Sequence, residues 1–189
     1  MTRSADPKTN PDDRPRHIVL IGMMGSGKSS IGRALAVRLG VPYHDNDDAL
    51  VVRTGRTAAA IAAEEGAPRL HELEESILTE TLAGADGAVV SAPGVIALES
   101  DAAAMLRGQV VVWLRARPET LAARVRGSSG RPLIGAASVE TLGELAAVRD
   151  PGYARLASVV VDVDGRSVDD IATEIMRGLP TVDGEHRAR

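Results

Sequence analysis

The sequence contains no cysteine, which excludes disulfides, thiolate metal sites and cysteine nucleophiles. Phenylalanine is also absent and aromatic residues make up 2% of the chain, so base stacking on aromatic side chains is poorly supplied. The formal net charge of −4 likewise argues against nucleic acid as a partner. No apolar run approaches the roughly 18 residues of a membrane span. The first 16 residues lack the hydrophobic segment of a secretory signal, so we expect a cytoplasmic protein. We also expect a monomer that acts on a small molecule.

The chain is long enough for one compact domain, with 189 residues of which 44% are hydrophobic. Polar segments without periodicity predict disordered tails at residues 1–16 and 181–189, around a folded domain at 17–180. In that domain strands and helices alternate, which predicts an α/β fold with a five-stranded parallel sheet and helices on both faces. The predicted strands are 17–21, 42–44, 87–91, 109–114 and 158–163, and the predicted helices are 28–39, 46–54, 57–65, 68–83, 99–106, 118–125, 138–149 and 167–178.

The most informative motif runs from Gly22 to Ser29 and reads Gly-Met-Met-Gly-Ser-Gly-Lys-Ser. It fits the phosphate-binding loop, in which a glycine and four spacer residues precede Gly-Lys-Ser. An apolar strand precedes it and a helical pattern follows, so backbone amides at the helix start converge on one anion. We therefore expect a nucleoside triphosphate with Mg²⁺, with Lys28 on the β- and γ-phosphates and the Ser29 hydroxyl on the metal. The residues expected to bind the nucleotide here are Gly25, Ser26, Gly27, Lys28, Ser29 and Ser30.

Two acidic residues, Asp45 and Asp47, stand at the end of the second predicted strand. Ligands collect at the carboxyl ends of strands in open α/β sheets. One carboxylate could hold Mg²⁺, directly or through water, and the other could accept the proton of an attacking hydroxyl. The alternative is that Asp45, Asn46 or Asp47 only caps the following helix, and the sequence alone does not separate the two.

A glycine-rich, basic segment at about 126–136 has no periodicity, which predicts a mobile lid. Arg131 in this segment is expected to neutralise charge at the γ-phosphate, and Arg124 before it to lie against the adenine. The alternative for each is a solvated surface arginine. Their positions on the two sides of Gly127-Ser128-Ser129-Gly130 favour the functional interpretation.

His71 and Glu74 are three residues apart on the predicted helix 68–83 and therefore share a face. That face differs from the one that carries Leu70, Leu73 and Ile77. The pair either lines an acceptor pocket or is exposed together with Glu75. Spacing alone favours the exposed arrangement.

Together these segments resemble the shikimate kinases, a branch of the nucleoside monophosphate kinase-like phosphotransferases. The resemblance covers about residues 17–178 and rests on the loop 22–32, Asp45-Asn46-Asp47, Arg131-Pro132-Leu133, and Arg149 with Tyr153. It implies a three-layer α/β/α P-loop kinase fold and transfer of the γ-phosphate of ATP to the 3-hydroxyl of shikimate, with Mg²⁺. The resemblance implies that Asp45 binds the metal and that Asp47 contacts the acceptor hydroxyl. It implies that Lys28 and Arg131 stabilise the transition state and that Arg124 contacts the adenine. Arg149 would bind the substrate carboxylate, and Arg166 would be a further nucleotide contact.

The chain departs from that family twice, and both departures concern the acceptor pocket. His71 stands where the family has an arginine, and Ala92-Pro93-Gly94 stands where it has three glycines. Pro93 has no N–H to donate to a substrate. We therefore expect the acceptor to be shikimate or a related hydroxylated metabolite, bound by Asp47, His71, Glu74, Gly94 and Arg149. The alternative is a nucleotide-binding protein of this type without shikimate kinase activity. A P-loop hydrolase is disfavoured, because the apolar runs before Ser91 and Arg115 do not end in a carboxylate.

Overall fold

The structure is a computed structural model that describes residues 17–84, 87–126 and 138–179. The predicted tails lie outside the described residues. So does the predicted lid after Arg126, including Arg131.

Five parallel strands form a single sheet: β1 (Ile18–Ile21), β2 (Tyr43–Asp45), β3 (Val89–Ser91), β4 (Val110–Arg115) and β5 (Val159–Asp162). Their order in the sheet is β2-β3-β1-β4-β5. The central strand pairs on both sides, with Val19 opposite Val90 and Val111. Apolar β-branched residues dominate these strands because helices cover both faces of the sheet.

Helices connect the strands, and several begin at a side-chain cap that the sequence supplies. Thr57, Ser138 and Ser167 each accept a hydrogen bond from a backbone N–H three residues later. No helix in the described ranges combines the length and apolarity that a membrane span requires. The α-helices are α1 (Lys28–Leu39), α2 (Asn46–Thr54), α3 (Ala58–Glu65), α4 (Ala67–Leu82), α5 (Ala102–Met105), α6 (Pro118–Arg126), α7 (Val139–Leu156) and α8 (Val168–Gly178), and a 3₁₀ helix spans Gly94–Leu98.

Two apolar clusters, one on each face of the sheet, give the molecule three layers. Because side chains alternate along a strand, successive residues of β1 enter different clusters. Leu20 packs with residues of α1 and α8, whereas Val19 packs with residues of α4, α6 and α7. A smaller cluster joins α2, α3 and α4 through Leu50, Ile61 and Ile77. The predicted α/β/α architecture is confirmed.

The predicted strands and most predicted helices agree with the structure to within two residues, with two exceptions. The predicted helix 99–106 is wrong over its first half, since only Ala102–Met105 is α-helical and a 3₁₀ helix precedes it. The predicted helix 138–149 is too short, because α7 continues to Leu156 through Pro151. Proline removes one helical hydrogen bond. Burial of the next two residues, Gly152 and Tyr153, accompanies the continuation.

We predict that Gly152→Ala destabilises the fold by about 3 kcal/mol, because α7 and the 3₁₀ helix are in backbone contact. A Cβ atom at Gly152 would lie 2.0 Å from the Ala97 carbonyl oxygen, which is a backbone atom and cannot rotate away. Gly143→Ala, in the same helix, is the matched control. There the nearest atom, Pro118 Cγ, is 3.8 Å away. Urea unfolding should show the control unchanged or stabilised by about 0.5–1 kcal/mol, and equal effects of the two changes would refute the prediction.

Candidate active site

The loop between β1 and α1 has the backbone geometry of an anion cradle. Gly22, Gly25 and Gly27 have φ angles of 141°, 78° and 99°, in the region that favours glycine. The loop also lies close to α6, since a Cβ atom at Gly25 would be 3.0 Å from the Leu121 carbonyl oxygen. Behind the loop the Ser26 hydroxyl is fully buried and has no hydrogen-bond partner among the described residues.

Lys28, at the first position of α1, turns back over this loop. Its Nζ donates to the carbonyl oxygens of Gly22 at 2.8 Å and Met23 at 3.4 Å. The ammonium group is therefore held at the loop, next to the amides at the start of α1. Both features attract a negative ligand.

The Asp45 carboxylate connects α1 to the β2 edge of the sheet. Its Oδ2 accepts hydrogen bonds from Ser29 Oγ at 2.8 Å and from the Tyr43 hydroxyl at 2.7 Å. The Tyr43 hydroxyl also lies 2.8 Å from Ser91 Oγ, on the strand next to β2. Neither Tyr43 nor Ser91 was predicted as a site residue. The available signals were the spacing of two between Tyr43 and Asp45, which puts them on one face of a strand, and the polar end of β3.

Asp45 is also the N-cap of α2, because its Oδ1 accepts from the Asp47 backbone N–H at 3.1 Å. The capping interpretation is therefore correct, and it does not exclude a metal role. Ser29 Oγ and Asp45 Oδ2 are oxygen ligands of the kind that Mg²⁺ takes, with phosphates and water completing its shell. In the described part of the chain, no three His, Asp or Glu side chains are grouped so that they could hold a metal by themselves.

The two arginines predicted to contact the nucleotide lie in different surroundings. Arg124 donates to the carbonyl oxygens of Ser26 at 3.1 Å and Val163 at 3.0 Å, so it links the phosphate loop to the segment after β5. Arg166 donates to the Asp162 carbonyl oxygen and pairs with Glu174 at 2.6 Å. Its nucleotide contact, and that of the exposed Ser30, stay predictions.

On the other side of the loop, Arg149 of α7 lies against Met23, with Nη1 4.0 Å from the sulfur. Its Nε is buried and has no hydrogen-bond partner among the described residues. A Cβ atom at Gly94 would lie 3.2 Å from Arg149 Nη1, so glycine leaves room for the guanidinium. The Tyr153 hydroxyl donates to the Gly94 carbonyl oxygen at 2.6 Å, and burial raises its pKa to about 12. This contact fixes α7 beside the end of β3.

The exposed arrangement that spacing favoured for Glu74 is wrong, because only 7% of Glu74 is exposed. Helix α4 buries two faces at once. Leu70, Leu73 and Ile77 pack towards α2 and α3, whereas Leu78, four residues after Glu74, packs on the sheet. Glu75 is exposed, as that arrangement expected.

The charges around Glu74 come from several elements. Burial and the negative charge of Asp47 raise its pKa to about 7, while Arg149 and Lys28 act in the opposite direction. Its carboxyl group therefore shares one electrostatic environment with the phosphate loop and with Arg149. His71 is half-buried one turn earlier on α4, and its substrate contact stays a prediction.

The end of β3 follows the departure seen in the sequence. The Ala92 N–H donates to the Leu20 carbonyl oxygen within the sheet, and Pro93 has no N–H. Gly94 then begins the 3₁₀ helix. Neither Ala92 nor Pro93 thus has a backbone N–H to offer a ligand.

Comparison with known proteins shows the family of the chain. The family model described as shikimate kinase matches residues 24–180. The chain is 40% identical to the shikimate kinase of Symbiobacterium thermophilum over 166 residues, which covers 86% of this chain and 95% of that protein. It is 35% identical to the shikimate kinase of Streptomyces avermitilis over 162 residues, covering 86% and 94%.

Solved structures show the same relationship. A shikimate kinase from Acinetobacter baumannii in complex with shikimate has a TM-score of 0.80 and 28% identity, covering 86% of this chain and 92% of that one. A gluconokinase from Sinorhizobium meliloti has a TM-score of 0.63 and 28% identity, covering 87% and 91%. With the phosphate loop, the acidic residues beside it and this coverage, the chain belongs to the shikimate kinase family and is an ATP-dependent kinase of a small hydroxylated molecule.

Proposed function

We propose that the protein transfers the γ-phosphate of ATP to a hydroxyl group of shikimate, with Mg²⁺ as cofactor. The observation that carries this proposal is the half-buried Arg149 against Met23 of the phosphate loop, with a buried Nε that lacks an acceptor among the described residues. Buried polar groups without partners are rare. A substrate carboxylate would satisfy this one and would place the hydroxyl groups of the substrate next to the phosphates.

On the nucleotide side, the backbone amides of the loop and Lys28 would hold the phosphate oxygens. Ser29 and Asp45 would hold Mg²⁺, which supplies positive charge to the phosphates when it is bound. Arg131 of the predicted lid would add charge at the transition state, and Arg124 would contact the adenine.

On the acceptor side, Asp47 is the proposed proton acceptor. Its N–H is tied to the Asp45 carboxylate, so its position is fixed relative to the metal ligands. The substrate hydroxyl oxygen forms a bond to the γ-phosphorus, the bond to the β–γ bridging oxygen breaks, and the hydroxyl proton passes to Asp47. ADP and the phosphorylated substrate leave. No observation favours the alternative of a nucleotide-binding protein without kinase activity, and a cytoplasmic monomer stays an expectation.

The direct test is ADP formation by the purified protein with ATP, Mg²⁺ and shikimate, compared with an Arg149→Gln variant. Wild-type turnover should depend on shikimate. The variant should raise the KM for shikimate by about 10- to 150-fold, because a charge-assisted hydrogen bond of roughly 1.5–3 kcal/mol is lost. The KM for ATP should change little.

Arg155→Gln is the matched control, since Arg155 is an exposed arginine on the same helix. It should behave as wild type. Absence of shikimate-dependent ADP formation by the wild-type protein would refute the proposed function. Equal KM values for the Arg149 and Arg155 variants would refute the role of Arg149.

The phosphate loop can be tested through two glycines with similar backbone conformations. Gly25 has a φ of 78° and Gly40, after α1, has a φ of 68°. Alanine at either position should cost about 1–2 kcal/mol of stability through backbone strain, and Gly25→Ala should cost more because its Cβ would also lie 3.0 Å from the Leu121 carbonyl oxygen. Only Gly25→Ala should also weaken ATP binding, by about tenfold or more, equivalent to ~1.4 kcal/mol, because Gly25 belongs to the phosphate loop. Gly40 lies outside this loop, and nothing is within 4 Å of a Cβ atom there. Calorimetric titration with ATP and Mg²⁺ separates the two, and an equal loss of affinity would contradict this account.

Tyr43→Phe should weaken the use of Mg²⁺ without removing the nucleotide site, since it deletes one donor to the Asp45 carboxylate. We expect the Mg²⁺ concentration for half-maximal ATP binding to rise by about 3- to 10-fold, as for one lost hydrogen bond. ATP binding without Mg²⁺ should stay the same. Ser91→Ala removes the other partner of the Tyr43 hydroxyl and keeps the bond to Asp45, so its effect should be smaller. An equal shift in both variants would show that Tyr43 does not act through Asp45.

A further inference from the structure

Glu74 is a buried carboxyl group without an ion pair among the residues that the structure describes. Only 7% of it is exposed. Its own helix offers it no arginine, because Arg69 pairs with Glu65 and Glu72 on the exposed side. The basic residue on its own face of α4 is His71, three residues earlier. A buried carboxylate without a cation partner is costly, and protonation is the usual way to avoid that cost.

Four charged groups from other elements act on Glu74. Asp47 of α2 and Glu99 at the end of the 3₁₀ helix disfavour a negative charge on it, and Arg149 of α7 and Lys28 of α1 favour one. With burial as the largest cause, the pKa of Glu74 is raised to about 7.

Binding of the acceptor shifts this balance towards the neutral form of Glu74. In the proposed complex the acceptor carboxylate neutralises Arg149, and the phosphates neutralise Lys28. The two negative neighbours, Asp47 and Glu99, remain. The loss of positive charge at Arg149 favours the neutral form of Glu74, and a neutral carboxyl group can donate a hydrogen bond to a hydroxyl group of the acceptor.

We propose that Glu74 is a specificity-determining residue that binds the acceptor in its protonated form, so that an anionic, hydroxylated acceptor takes up one proton from solvent as it binds. The proposal rests on the proposed function. A carboxyl group that must be protonated disfavours acceptors that carry a second negative charge near Glu74. For the same reason, acceptor affinity decreases as the pH rises through neutrality.

Proton uptake can be measured directly by calorimetry. Shikimate is titrated at pH 8 into the nucleotide-free protein, in two buffers with different ionisation enthalpies. Wild type should take up close to one proton, about 0.9, because a group that titrates near pH 7 is mostly ionised at pH 8. Glu74→Gln should take up almost none. In the kinetic assay, the wild-type KM for shikimate should rise up to about tenfold from pH 6 to pH 8, and the variant should show no such rise.

Two variants separate Glu74 from its neighbours. Glu75→Gln removes an exposed carboxylate next to it and should leave both proton uptake and the pH profile unchanged. His71→Gln removes the other titratable group on this face, and proton uptake should persist. Uptake that is lost with His71 and retained in Glu74→Gln would overturn the proposal.

The proposed function and this inference fail in different ways. No shikimate-dependent ADP at any pH would remove both. Shikimate turnover with no proton uptake by wild type, or with a flat wild-type KM between pH 6 and pH 8, would remove only the role of Glu74. The wild-type measurements decide this even where the Glu74 variant fails to fold.

Discussion

The site depends on one carboxylate, Asp45, which receives hydrogen bonds from three structural elements. Ser29 at the start of α1 and Tyr43 on β2 share its Oδ2, and the Asp47 N–H at the start of α2 uses its Oδ1. The phosphate loop and the helix that carries Asp47 are thereby held in one arrangement. Charge-assisted hydrogen bonds are among the stronger ones in proteins. The nucleotide side and the acceptor side are therefore connected before any ligand binds.

Several buried polar groups around the phosphate loop have no partner within the described part of the protein. The buried Ser26 hydroxyl and Arg149 Nε lack partners among the described residues, beside the phosphate loop. Glu74, on the acceptor side, is buried without an ion pair in the described part of the chain. A folded protein leaves such groups unsatisfied mainly where function requires it. In the proposed complex an anionic acceptor supplies the partner that Arg149 Nε lacks, and it removes positive charge from the surroundings of Glu74.

The sequence was sufficient for the sheet, for most helix boundaries and for the phosphate loop, because each follows from local patterns of hydrophobicity and glycine. It was insufficient where packing between distant segments decides. The burial of Glu74 depends on α4 packing against both the sheet and α2, which its periodicity shows only in part. Pro151 is locally a helix stop, yet α7 continues past it, with Gly152 in close contact with Ala97. The contact of Tyr43 with Ser91 follows from strand register, in which Asp45 lies opposite Ser91.

The change at the end of β3 has a structural counterpart in α7. Pro93 has no N–H and Ala92 uses its own in the sheet, so these two residues offer an acceptor no backbone donor. The Gly94 carbonyl oxygen is occupied by the Tyr153 hydroxyl, which locks α7 against the 3₁₀ helix and fixes Arg149 one turn earlier. Side chains held by tertiary packing position a ligand as firmly as backbone amides do, and unlike amides they can change charge. In the proposed complex such side chains respond to the charge of the acceptor as well as to its shape, whereas the backbone of three consecutive glycines has no titratable group that could do so.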